Sequence, residues 1–189
     1  MEPTRIFRLA LALGFYAVLG TYYLALAADT MSPKTTDQEG FEVIGIEART
    51  NNAKESSDGG MIPQMWQRFY MEGTINQIPN KVDKSIIAVY TDYVSDANGD
   101  YTYILGARVK PGSKAPAGMV AKQIPTGKYL DFDSEQGALP LVVPKVWRHI
   151  AEYFQATGAP ARVYKADYEV YDAAMDPNDA STHVFVGVK

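Results

Sequence analysis

Ala166-Asp-Tyr-Glu-Val-Tyr-Asp172 is the stretch on which the reading of this chain turns. Aromatic and β-branched residues recur in it at period two, which predicts a strand with Glu169 and Tyr171 on one face and Tyr168 and Val170 on the other. A carboxylate is thereby set among aromatic neighbours. If that face is buried, Glu169 must find a hydrogen-bond donor, a cationic ligand or a proton, because an unpaired ionised carboxylate in apolar surroundings is costly.

The chain also repeats itself. Adding 81 to residue numbers carries Pro63, Trp66, Pro79, Val82, Lys84, Val89, Tyr90 and Gly106 onto Pro144, Trp147, Pro160, Val163, Lys165, Val170, Tyr171 and Gly187. The register runs without a gap from Pro63 to the C-terminus and includes both tryptophans, which identifies a duplicated supersecondary unit. Ala88 aligns with Glu169 in this register. The expectation is one site built asymmetrically on a pseudo-symmetric frame, with Glu169 the ionisable position that breaks the symmetry.

Each half carries the same elements. Phe41 to Ala48 is rich in apolar and β-branched residues and predicts a strand, followed by a polar loop from Thr50 to Gly60. Ile62, Met65, Trp66 and Phe69 recur at helical spacing, as do Val143, Val146, Trp147, Ile150 and Phe154, with Gly158 as a stop. Two strands follow each helix: Ser85 to Tyr93 and Tyr101 to Val109, turned by Asn98-Gly99, then Asp167 to Tyr171 and His183 to Lys189. Pro111 to Gly118 connects the halves. Met119 to Phe132 supplies the first strand of the second half, with a bulge or bend at Pro125-Thr126-Gly127. The fold class is therefore α+β: a β-α-β-β unit occurring twice, residues 41–110 and 119–189, with antiparallel sheets and two main helices around a central groove.

Ahead of the domain, Arg5 and Arg8 precede an apolar run from Leu9 to Leu19 and a segment closing on Ala25-Leu26-Ala27, the layout of a secretory signal over residues 1–27. An uncleaved membrane anchor is the competing reading, since about 20 such residues cross a bilayer. Either places the folded part outside the cytoplasm, periplasmic or secreted, with membrane contact only through an uncleaved N-terminus. Residues 28–40 are polar without periodicity and read as a tether to a domain spanning 41–189.

Composition narrows the function classes. The chain has 189 residues, 47% of them hydrophobic, enough for one domain with a proper core. A net charge of −4 without a basic stripe lacks the electrostatic footprint of a nucleic-acid binder. With no cysteine, thiolate nucleophiles and disulfides are excluded. His149 and His183 have no close-spaced partner motif, so no metal site is expected, and without GxGxxG or a Walker loop no nucleotide cofactor is expected. What remains is an aromatic surface with one carboxylate, suited to an apolar small molecule, cations included, through burial, cation–π attraction and charge pairing.

These residues resemble the GyrI-like small-molecule-binding domains, which are also the effector-binding domains of AraC-type and MerR-type regulators. The likeness is carried by Phe41-Glu-Val-Ile-Gly-Ile46, Tyr101-Thr-Tyr-Ile-Leu-Gly106, Gly118-Met-Val with Ile124-Pro-Thr-Gly-Lys-Tyr129, and Tyr168-Glu-Val-Tyr171, in order over Phe41 to Lys189. It implies paired β-α-β-β units around a groove and gives Glu169 the place of the family's ligand-contacting glutamate. The expectation is a binding module with Glu169 as charge partner and Tyr90, Tyr103, Tyr171, Trp66 and Trp147 as walls. Some stand-alone members are similar to hydrolases of strained small molecules, which implies an alternative with Glu169 as general base and Tyr103 stabilising the leaving oxygen.

Overall fold

The computed structural model describes residues 32–172 and 174–189, and the segment read as a signal or anchor lies outside them. In chain order the elements are β1 (Lys34–Gln38), β2 (Phe41–Thr50), α1 (Asn52–Glu55), α2 (Ile62–Met71), α3 (Thr74–Gln77), β3 (Ile86–Thr91), β4 (Tyr101–Val109), β5 (Val120–Ile124), β6 (Gly127–Asp133), α4 (Leu139–Gln155), β7 (Arg162–Tyr171) and β8 (His183–Val188). The strands form one antiparallel sheet in the order β1-β6-β8-β7-β3-β4-β2-β5. That order reads the same from both ends once the repeat is applied: β7 answers β3, β8 answers β4, β6 answers β2 and β5 answers β1. The buried residues of the helices match as well, Met65 and Phe69 of α2 falling on Val146 and Ile150 of α4.

Three expectations change. Lys34–Gln38, read as part of a tether, is an edge strand paired with β6 from Lys34↔Asp131 to Gln38↔Gly127. Its polar composition suits a strand with one open edge, where charged side chains deter further pairing. The break at Pro125-Thr126 is a change of sheet edge rather than a bulge, since β5 pairs with β2 while β6 pairs with β1 and β8. The polar loop after β2 contains α1, and Glu55 at its end accepts from the N–H groups of Met61 and Ile62, capping α2, while also accepting from the Thr50 hydroxyl.

The short crossings dictate the shape of the sheet. β1 and β2 are six strand positions apart, about 29 Å in a flat sheet at the usual spacing, yet only Glu39 and Gly40 join them. The sheet must curl until its two edges meet, and Gly40 N–H donates to Thr126 Oγ1 at 2.8 Å where the two crossings pass. Inside the curl, the Phe41 ring of β2 lies 5.1 Å from the Tyr168 ring of β7 across two intervening strands. Gly45 and Gly106 face each other in β2 and β4, and a Cβ on Gly106 would fall 2.0 Å from the Ile44 carbonyl oxygen, so that close approach excludes any side chain. α2 and α4 pack on the other, outer face, over Ile46, Ala88, Tyr103 and Leu105 in one half and Leu130, Phe132, Val184 and Val186 in the other.

Candidate functional site

Glu169 lies on the helix-bearing face of β7 at 1% exposure, with Tyr171 on the same face and Tyr168 inside the curl, as the alternation of the strand predicts. Its Oε1 accepts from the Tyr90 hydroxyl at 2.9 Å and from the Trp147 indole Nε1 at 2.5 Å. Its Oε2 accepts from the Tyr171 hydroxyl at 2.7 Å. No lysine, arginine or histidine among the described residues pairs with it. Burial raises its pKa above the ordinary 4.5, and the three donors pull the other way without cancelling that. Burial, and after it the charge of Glu169, pushes the Tyr90 and Tyr171 hydroxyls well above 10, so both serve as neutral donors.

The repeat organises these contacts. Tyr90 and Tyr171 are repeat partners, and so are Trp147 and Trp66. Trp147 meets Tyr90 edge-on with ring centroids 4.8 Å apart, and Trp66 meets Tyr171 in the same way at 5.0 Å. Two copies of one Trp–Tyr pair therefore flank a single carboxylate. The helical stripe alone would make both tryptophans core anchors; instead each is half-buried at a groove between α2 and α4.

Two cavities open in that groove, one of about 420 Å³ and one of about 500 Å³. The smaller is lined by Glu169, Tyr171, Tyr103, Tyr90, Trp66 and Tyr70, and the larger has Trp147, Tyr90, Tyr93, Arg148, Ala151 and Arg162 on its walls. Repeat-related Ile62-Pro63 and Val143-Pro144 border both. Of the six residues expected to form a ligand site, five line the smaller cavity, and Trp147 lines the larger while reaching Glu169 through its indole. The Tyr103 hydroxyl is buried and makes no well-formed hydrogen bond among the described residues, the Trp66 side chain being a weak partner.

A second buried acid went unnoticed in the sequence. Asp167 is fully buried; its Oδ2 accepts from Arg162 Nη2 at 2.5 Å and from the Tyr93 hydroxyl at 2.8 Å, and its Oδ1 from Gly187 N–H at 2.9 Å. It stands where the first half has Ile86, so Glu169 is not the sole ionisable residue that breaks the repeat. The same 81-residue comparison could have found it. On an exposed patch, Asp131, Asp133 and His183 bring their ligand-type atoms within 4.8 Å of one another, a grouping hidden in the sequence because the residues belong to β6 and β8. His183 Nδ1 is 2.6 Å from Asp133 Oδ1, and Lys34 Nζ is 3.8 Å from Asp133 Oδ2.

Comparison with known proteins places this architecture. The family model of Cass2, integron-associated effector binding protein, matches residues 36–186. YobU of Bacillus subtilis (strain 168), which carries a transcriptional-regulator name, is 29% identical over 149 residues, covering 77% of this chain and 90% of its own. The Vibrio cholerae integron cassette protein VCH_CASS2 superimposes with a TM-score of 0.65 at 27% identity, over 84% of this chain and 96% of its own. The protein SAV2435, solved bound to tetraphenylphosphonium, superimposes with a TM-score of 0.69 at 20% identity, over 84% of this chain and 94% of its own, a likeness of fold. The chain belongs to the Cass2 family of integron-associated effector binding proteins, GyrI-like domains that bind small molecules.

Proposed function

We propose that this chain binds a hydrophobic cation in the aromatic cavity above Glu169, with the carboxylate as counter-charge and Tyr171, Tyr103, Tyr90 and Trp66 as walls. The observation that carries this is a carboxylate at 1% exposure with three neutral donors and no cationic side chain paired with it among the described residues. Three hydrogen bonds hold the anion in place but do not neutralise it, so a cation entering the cavity gains charge pairing as well as ring contact. Tetraphenylphosphonium in the related SAV2435 is a ligand of this chemical type. Titration calorimetry with tetraphenylphosphonium and neutral triphenylphosphine oxide tests the reading. The cation should bind and the oxide should bind much more weakly; equal affinity would overturn it.

An extracytoplasmic location belongs to the same proposal and is supported by the charged start, apolar run and Ala25-Leu26-Ala27 of residues 1–28. N-terminal sequencing of the protein from its native cell tests it. A mature chain starting near Ala28 outside the cytoplasm, or a full-length chain in the membrane fraction, supports it, and an intact cytosolic chain refutes it.

A further inference from the structure

The two cavities are repeat copies of one another that have diverged. Trp147 and Tyr90 in the larger stand for Trp66 and Tyr171 in the smaller, and Ala151 stands for Tyr70, a shorter side chain at a comparable place on the helix. The smaller cavity has the Glu169 carboxylate, while the larger has two guanidinium groups on its walls, Arg148 and Arg162.

The state of the polar groups there is informative. The Arg162 side chain is 9% exposed and packs its guanidinium 4.5 Å from the Tyr164 ring centroid, yet only its Nη2 bonds a described residue, Asp167, and its Nε is buried without a partner. A guanidinium has five N–H donors, so most of its capacity is unused. Arg148 is exposed on α4 and forms no ion pair with a described residue. One carboxylate, Glu55, also lines this compartment, but its oxygens already accept from the Met61 and Ile62 N–H groups and the Thr50 hydroxyl, while Asp167, the ion-pair partner of Arg162, holds three donors. The compartment thus presents spare donors with positive charge and few spare acceptors.

We propose that the larger compartment receives an anionic, hydrogen-bond-accepting group of the same ligand, a carboxylate, sulfonate or phosphate, so that the preferred ligand carries an apolar cation at one end and an anion at the other. This rests on the reading of the Glu169 cavity as the cation site. Ile62, Pro63, Val143, Pro144 and Tyr90 line both compartments, so one elongated molecule can occupy the two. Charge-assisted contacts to arginine would reward the anionic end.

The test compares alkyltriphenylphosphonium ions with ω-carboxyalkyltriphenylphosphonium ions of matched chain length, titrated into wild-type protein, Glu169→Gln and Arg148→Ala. Arg148 is exposed, so the variant should fold, and circular dichroism and melting are the checks on that. At one or more chain lengths the carboxylate should tighten binding about ten-fold in wild type, a gain of roughly 1.4 kcal/mol. That ratio should fall several-fold in Arg148→Ala. If alkyl ions bind in a Glu169-dependent manner but the carboxylate gives no gain at any length, or its gain survives Arg148→Ala, the second subsite is refuted and the cation site stands. If alkyl ions do not bind wild type, or bind Glu169→Gln equally well, the cation reading itself fails.

Discussion

Ala88 and Glu169 face each other as Cα partners in the central β3·β7 ladder, and within that register they are the pair that is also separated by the 81-residue repeat. The pseudo-twofold that exchanges the halves therefore passes between them. Both copies of a flanking group can approach a position on such an axis, which is why Tyr90 and Tyr171, repeat partners, donate to opposite oxygens of the one carboxylate, although Trp147 donates to it and its repeat partner Trp66 does not. Alanine across the axis leaves room for it.

Placing a second acid at that position should be poorly tolerated. Ala88→Glu would put two carboxylates side by side at the centre of the sheet, combining overpacking with like-charge repulsion, and should cost about 3 kcal/mol or more at neutral pH. Urea denaturation of wild type and variant measures it. A loss under about 1 kcal/mol would contradict the facing arrangement.

The tyrosines divide into two kinds. Tyr90→Phe and Tyr171→Phe each remove one donor from Glu169 and should each cost about 1–3 kcal/mol, by similar amounts because of the repeat. Tyr103→Phe removes a buried hydroxyl whose one polar neighbour is the weakly placed Trp66 side chain and should cost well under about 1 kcal/mol. Thermal melts of the three variants check the contrast, and a large loss for Tyr103→Phe would show that its hydroxyl has a stronger partner.

Glu169 should leave a signature in the pH dependence of stability. Its folded-state pKa is raised above 4.5 by burial, so the unfolded chain ionises first as pH rises. Stability should therefore fall from about pH 4.5 up to the folded value and level off above it, relative to Glu169→Gln. Affinity for a cation should rise across the same window, because the cation favours the ionised form. Chemical denaturation and cation titration at a series of pH values, with wild type and variant compared at each, test both signs; a wild-type advantage that grows with pH would contradict the burial-dominated account.

Asp167 and Arg162 form a buried ion pair on the strand that carries Glu169. Arg162→Met leaves Asp167 charged and largely unpaired in the interior and should cost about 3–5 kcal/mol. Adding Asp167→Leu should recover part of that loss, the remainder reflecting the Gly187 N–H deprived of its acceptor. Equilibrium unfolding of the single and double variants decides whether the pair acts as a unit.

Much of this was legible in the sequence because local periodicity and the repeat pointed the same way. The period of Tyr168-Glu-Val-Tyr171 gave the faces, and the 81-residue offset placed Trp66 over Trp147 and Tyr90 over Tyr171. What escaped depends on contacts distant in the chain. Lys34–Gln38 is a strand because β6 supplies its hydrogen bonds, a fact its polar residues do not announce. Pro125-Thr126 reads in the sequence as a bulge or bend because only the assembled sheet shows that β5 pairs with β2 while β6 pairs with β1 and β8. Asp167 is marked in the sequence by the same kind of asymmetry, standing opposite Ile86 in the repeat, but its burial follows only from the fold.

Glu169→Gln, with calorimetry on tetraphenylphosphonium at neutral pH and a parallel turnover assay on strained electrophiles, separates a cation-binding carboxylate from a general base. Gln keeps the shape and removes the charge, so a binding site for cations should lose about 1.5–3 kcal/mol of affinity, roughly ten- to a hundred-fold, with neutral ligands little affected and no turnover in wild type. Unchanged cation affinity would contradict the account, and so would wild-type turnover that falls a hundred-fold or more in the variant while binding persists, the behaviour of a general base.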